Sequence, residues 1–388
     1  MTMSSSVPPQ SRSILERLVS FDTTSRNSNL PLIDYVEEYL ARHGVRARRV
    51  GGADPGKVNL FATIGPDAPG GLILSGHTDC VPVDDQDWSS DPFVLAERGG
   101  RLFGRGSADM KGFLACVLAV VPDLVAKSRA KPVHIAFSYD EEVGCTGVLE
   151  LIDDLKARGF AADMCLVGEP TGMELVIAHK SGRAYRCLVT GLEAHSSLAP
   201  RAVNAIETAA RLIAGIAEIA REFARGVRDD DFDLPHATIN TGLIEGGTGM
   251  NIVPHHCSFT FEYRLLSGQD PEEVFARVKA MADALLPAMR AIHKGADISF
   301  EQVYDYPGHF IPGDAPAVRR MVKLLGSNRL AKVAYGTEAG HFHNGLGVPT
   351  VICGPGDIAV AHKPDEFVTL DQLSRCEDLL KRLCNETA

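Results

Sequence analysis

The sequence predicts an α/β protein: a mixed, largely parallel sheet flanked by helices, interrupted by an inserted ferredoxin-like α+β domain. Three observations carry this. Short apolar runs alternate with helical patterns between residues 71 and 168. Near Lys180 that alternation gives way to a β-α-β-β-α-β order. From about residue 349 the α/β character returns.

Each element has its own signal. Residues 13–20 and 32–43 place apolar side chains at helical spacing and read as amphipathic helices. Residues 71–75 (GLILS) form a short apolar run, the mark of a buried strand. Residues 111–127 are apolar nearly all round and read as a buried helix. Residues 133–139 and 164–168 are two more strands, with a helix over 146–158 between them. In the insertion, strands are expected at 183–190, 237–244, 256–265 and 297–303. Helices are expected at 203–225 and 271–289. A strand at 349–353 and a helix over 370–384 close the chain. The expected domains are 1–180, the inserted 181–295, and 296–388.

Composition narrows the function. At 388 residues, two domains are the natural expectation. Hydrophobic residues make up 45% and charged residues 23%, as in ordinary globular chains. The net charge of -11 argues against a nucleic-acid partner and against a basic membrane-binding face. The N-terminal stretch MTMSSSVPPQSRS has no apolar segment of signal-peptide length, so a cytoplasmic location is expected. Nine cysteines stand without paired spacing and read as buried free thiols.

The residues with chemistry gather at strand ends. His77 and Asp79 follow the first strand, Asp140, Glu141 and Glu142 the second, Glu169 the third, and His362 the last. In an open α/β sheet, ligands bind outside the carboxyl ends of the strands. Two histidines with several carboxylates and no paired cysteines suit zinc, cobalt or manganese. Crowded carboxylates repel one another unless cations neutralise them. An acid beside the metal that is not itself a ligand can take a proton from water. The doublet Glu141–Glu142 offers one acid of each kind.

The segments SGHTDCVPVD (75–84), GRGSADMKGF (104–113), SYDEEVGCTG (138–147), GEPT (168–171), GTEAG (336–340) and AHKPDEF (361–367) resemble one family. It is the M20 family of dizinc amidohydrolases and exopeptidases, and the resemblance runs almost the whole chain. It implies a zinc-exopeptidase-like catalytic domain and two divalent metal ions, zinc first, with cobalt or manganese as alternatives. It implies that Asp109 bridges the metals and that the Asp109–Met110 peptide is cis. His77 and Glu169 would complete one site, Glu142 and His362 the other. Asp79 would orient His77, and Glu141 would be the general base. His195, in LEAHSS, would stabilise the oxyanion from a dimer partner. Asn251 and Arg264 stand where relatives hold substrate.

The resemblance also implies the reaction: hydrolysis of an N-acyl amino acid, with N2-acetyl-L-ornithine the leading substrate. That choice rests on the segment YGTEAGHF, which makes Glu338 a candidate contact for a substrate amino group. A desuccinylase, an aminoacylase or a dipeptidase of the same family is the alternative. A non-catalytic metal- or amino-acid-binding relative is the distant one. The expected partners are the small substrate and a second copy of the chain, joined through the inserted domain. The chain departs from the pattern at Cys80, at Glu262–Tyr263–Arg264, and at His341 and His343.

Blander readings stand beside these. Asp109 suits the cap of the following helix. Glu141 and Glu142 suit a solvated helix start. At i, i+2, His341 and His343 offer a metal pair on one strand face, but the set above already fills both sites. His255 and His256 suit a domain edge. The stretch GRGSAD begins like a dinucleotide fingerprint but has Asp109 where the third glycine belongs. The loop EGGTGMN (245–251) suits a flexible, substrate-facing segment.

Overall fold

The computed structural model describes residues 9–52 and 54–385. The first part of the N-terminal tail, residues 1–8, lies outside them. The chain divides into two compact units, the second made of His179–Gly308 and Val333–Gly336 and the first of the rest.

The first unit is built on a nine-stranded sheet. Its centre is four parallel strands: Val133–Ser138, Leu72–His77, Met164–Val167 and Thr350–Ile352, adjacent in that order. Every residue in them is buried. Strands covered on both faces need no polar alternation, which is why they read as mostly apolar runs. Helix Lys111–Val125 is buried on nearly every face. It packs against Ser11–Val19 and Leu370–Asn385, whose apolar stripes enter the same core.

Two antiparallel strands, Asn59–Ile64 and Ala47–Val50, extend one edge of the sheet. Leu175–His179 runs antiparallel to Thr350–Ile352 near the other. The sheet is therefore mixed with a parallel centre, as expected. Strand Ala47–Val50 (ARRV) and helix Pro316–Leu325 were not expected. Two arginines in four residues hide the β signal of an edge strand.

The second unit is a four-stranded antiparallel sheet in the order Thr238–Gly246, His256–Leu265, Ser181–Thr190, Asp297–Tyr306. Helices Ala205–Phe223 and Pro271–Ile292 cover one face. Strand His256–Leu265 alternates buried and less buried residues along its length. Both helices start at side-chain caps, Asn204 accepting from the Glu207 N–H and Asp270 from the Glu272 N–H. Tyr185, Phe261, Phe275 and Phe300 fill the core between.

The boundary expected at 295/296 falls instead after Gly308. Strand Asp297–Tyr306 pairs along its length with Ser181–Thr190 and cannot leave that sheet. All nine cysteines are free and buried. Among the described residues no helix is long and apolar enough to cross a membrane.

Candidate metal centre

Parallel strands ending at one edge deliver their following residues to one place. His77 is the last residue of its strand, Glu169 lies two beyond Val167, and Glu141 and Glu142 follow Ser138 across a turn. In that turn Asp140 adopts a positive φ of 54°. Lys57 Nζ holds the Asp140 carboxylate at 2.7 and 2.8 Å. Glu141 and Glu142 are not a helix start, since the next helix is Gly147–Ala157.

Asp109 sits between two imidazoles. Its Oδ1 lies 3.1 Å from His77 Nε2 and its Oδ2 3.2 Å from His362 Nε2. Glu142 Oε2 is 3.0 Å from the same His362 nitrogen. Among the described residues two groups are close enough to hold a metal ion: His77, Asp109 and Glu169, and Asp109, Glu142 and His362. In each, the ligand atoms lie within 4.8 Å of one another. Asp109 belongs to both. Glu142 Oε1 and Glu169 Oε1 are buried without a hydrogen-bond partner. Buried anionic oxygens need compensation. The donor set therefore fits divalent cations.

The electrostatics say the same. Burial, with the charges of Glu141 and Asp109, raises Glu169 well above the carboxylate range. Burial and the charge of Asp109 push Glu142 up to about 7. Burial would raise Asp109 too, but the two histidines outweigh it and hold it low. His362 is pushed up to about 10 by Asp109 and Glu142. Glu141 rises well above its ordinary value through burial, with Glu142 and Asp109 adding. An acid raised in this way is a stronger base than an ordinary carboxylate.

Asp79 meets His77, as expected, through both its main chain and its carboxylate, and it does more besides. His77 Nδ1 donates to the backbone carbonyl of Asp79 at 3.0 Å, while the nearer carboxylate oxygen is 3.5 Å away. The main chain thus fixes the His77 tautomer and leaves Nε2 as the ligand atom. The Asp79 carboxylate also accepts the N–H groups of Glu141 and Glu142 and the hydroxyl of Ser25. Ser25 and Lys57 are supports the sequence did not single out, and nothing in their local pattern marks them.

Asp109 is not the helix cap: Met110 holds that position, without a side-chain cap bond. The Asp109–Met110 peptide is cis. Glu338 is fully buried in the first unit, where one oxygen accepts from Ser75 at 3.4 Å and the other has no partner. Burial pushes its carboxyl up to about 7. It has no exposed surface, so any group it meets is met inside the unit.

His341 and His343 lie on helix Ala339–Leu346, not on a strand, and neither belongs to a metal-holding group among the described residues. The rings of His309 and His343 meet edge to face at 5.2 Å. His255 and His256 stand side by side, ring centres 4.0 Å apart, where His256 opens a sheet strand.

In the second unit, His195 pairs with Ile252 in a two-stranded ribbon beside Asn251. The Ser196 N–H donates to the Asn251 carbonyl at 2.9 Å. His195 is exposed, and its Nδ1 accepts the Ser197 N–H at 3.3 Å. That leaves Nε2–H as a free donor. Arg264 is engaged by Glu262 and Tyr306, and Tyr304 also reaches Glu262.

A mixed α/β sheet carrying this acid–imidazole cluster at its carboxyl edge, with a split β-α-β unit inserted, defines a class of hydrolases. Residues 73–386 match the family model of peptidase family M20/M25/M40. Acetylornithine deacetylase of Myxococcus xanthus is 37% identical, over 96% of each chain. An M20 family metallo-carboxypeptidase of Sulfolobus solfataricus shares the fold with a TM-score of 0.78 at 19% identity, covering 97% of this chain and 98% of that one. A dinuclear metal binding peptidase of the M20 family from Bacillus subtilis superposes with a TM-score of 0.66 at 13% identity, over 97% and 99% of the two chains. The chain belongs to peptidase family M20/M25/M40 and is a hydrolase of that family.

Proposed function

We propose that the protein is a metal-dependent amidohydrolase that removes the acyl group from an N-acyl amino acid, with N2-acetyl-L-ornithine the leading substrate. The observation that carries this is the pair of ligand trios meeting at Asp109, with Glu141 close enough to feel the charges of Glu142, Asp109 and Glu169. The substrate is supported by the likeness to acetylornithine deacetylases across nearly the whole chain.

In this reading His77, Asp109 and Glu169 hold one divalent cation, and Asp109, Glu142 and His362 the other. Zinc is the first choice, with cobalt and manganese as alternatives. Bound cations would polarise the acyl carbonyl and lower the pKa of water. Glu141 accepts the proton of the attacking water and returns it to the departing amine. The His195 Nε2–H is a donor for the oxyanion that forms on attack. Asn251, Arg264 and Glu338 are the proposed substrate-recognition residues.

A homodimer through the second unit accounts for an exposed His195. Its edge strand Thr238–Gly246 leaves Leu243 70% and Ile244 57% exposed. Exposed apolar edges are places where chains join. Sedimentation velocity reads this, and a monomer at micromolar concentration removes the dimer.

The function is tested with a panel of acetyl-ornithine, succinyl-diaminopimelate, acetyl-methionine and simple dipeptides. The highest kcat/KM is expected on acetyl-ornithine, and turnover of dipeptides alone overturns that substrate. Glu141→Ala should lose at least about 10³-fold in kcat while keeping its metals. Unchanged turnover removes Glu141 from the mechanism.

A further inference from the structure

Residues 104–109, GRGSAD, wrap around a carboxylate of the chain itself. Glu366 is 1% exposed. Its Oε1 accepts the N–H of Ala108 at 2.8 Å and that of Asp109 at 3.0 Å. Its Oε2 accepts the N–H of Gly106 at 3.1 Å and Nη1 of Arg105 at 2.7 Å. Its backbone carbonyl accepts the N–H of Gly104 at 3.0 Å and the hydroxyl of Ser107 at 3.3 Å. Every residue from 104 to 109 therefore donates a hydrogen bond to Glu366.

This is the chemistry of a phosphate-cradling nest, with successive N–H groups converging on an anion. Gly106 supplies the positive φ such a turn needs, 76°. The likeness of GRGSAD to a nucleotide fingerprint thus has a physical basis, but the anion is internal. Arg105 neutralises it, both side chains being 1% exposed. Arg105 also reaches Gln86 and the carbonyl of Pro82, so the 82–86 segment is tied in.

The position of the anion matters. The cradle ends on Asp109, and Glu366 lies four residues beyond His362. His362 and Asp365 both adopt positive φ, 62° and 55°. A non-glycine residue is strained in that region, so outside contacts must hold the loop. Glu366 joins this loop to the turn carrying Asp109, beside the weaker bond from Arg105 to the Lys363 carbonyl at 3.4 Å.

We infer that Glu366 is a positioning residue that sets the placement of Asp109 relative to His362, and through it the affinity of the chain for a divalent cation. The inference rests on the reading of Asp109 and His362 as ligands. Tight hydrogen bonds around ligands typically hold 10–100-fold of metal affinity.

The test is titration of the full-length, chelator-stripped protein with Co(II), followed by calorimetry and visible absorption. Four proteins are compared: wild type, Glu366→Gln, Asp109→Asn and Glu377→Gln. Glu377 is a control of similar burial, 5% exposed, that accepts the Ser11 N–H at 2.7 Å away from the cluster. Glu366→Gln should bind at least one Co(II) about tenfold or more weakly, with an altered spectrum. Glu377→Gln should melt earlier yet bind Co(II) as wild type does. Wild-type affinity and spectrum in Glu366→Gln, with loss in Asp109→Asn, overturn the inference alone. Wild-type binding in Asp109→Asn overturns the ligand reading beneath it. Equal loss in Glu377→Gln reduces Glu366 to a general stabiliser and also overturns the inference. Should Glu366→Gln fail to fold, Glu366→Asp keeps the charge but is one methylene too short to span the cradle. It should weaken Co(II) severalfold, and unchanged affinity overturns the inference.

Discussion

The peptide N–H of Glu141 donates to Asp79 Oδ1 across 3.2 Å, so the segment after one strand is fastened to the segment after its neighbour. The next peptide, Glu142, reaches Oδ2 of the same carboxylate at 3.3 Å. Burial would raise Asp79, but His77, Ser25 and the Glu141 N–H keep it below its ordinary range. An ionised Asp79 thereby fixes the two adjacent acids in different directions. Asp79→Ala should lower kcat by about 10²-fold or more and weaken metal binding by about tenfold. Asp79→Asn, which retains one acceptor, should fall between. Steady-state kinetics and metal titration read both, and wild-type values in Asp79→Ala remove this role.

Metal removal should abolish turnover. Dialysis against a chelator is expected to take activity to background, and zinc, cobalt or manganese should restore it. The melting temperature should fall on stripping, because a cation that binds only the folded chain stabilises it by mass action. Activity that survives complete stripping, confirmed by elemental analysis, contradicts the ligand set.

Gly168 precedes the ligand Glu169 and has no room for a side chain. A Cβ there would lie 2.0–2.2 Å from ring carbons of Phe113, which is fully buried. Gly168→Ala should cost at least about 2 kcal/mol, as overpacking does. Adding Phe113→Leu should recover part of the loss if the clash is the cause, a coupling that a double-mutant cycle measures. Strict additivity of the two changes locates the damage elsewhere.

His134 should make stability depend on pH. It is 4% exposed, with Phe61 and Phe160 against its ring. Nε2–H donates to the Gly70 carbonyl at 3.2 Å, and Nδ1 accepts from Thr63 at 3.0 Å. Burial lowers its pKa below 6.5. The unfolded chain therefore takes up the proton first as pH falls. The contribution of His134 is complete above about pH 6.5 and is lost below it, by up to about 1.4 kcal/mol per pH unit. Denaturant unfolding from pH 8 to pH 5 should show a shallower loss in His134→Gln than in wild type. Parallel curves refute the assignment.

Much of this was readable before any coordinates. Strands such as VHIAFS and MCLV are mostly apolar because both sheet faces are covered, and that pattern alone marked them. Parallel strands end at one edge, so His77, Glu142 and Glu169 were bound to converge once the strands were recognised. The boundary at 295/296 failed because Asp297–Tyr306 is assigned by its pairing with Ser181–Thr190, which no local pattern records.

The sequence by itself determined the element types, the two-unit plan and the residue types gathered at the carboxyl edge. These follow from local periodicity and from strand polarity, both properties of short stretches. Only the tertiary structure decided how those residues are held. The Asp79 carboxylate serves the Glu141–Glu142 turn as well as facing His77, and the Asp109 turn closes on Glu366, 257 residues away. Hydrogen bonds between distant segments depend on where the folded backbone brings donor and acceptor, and that placement leaves no trace in either segment alone.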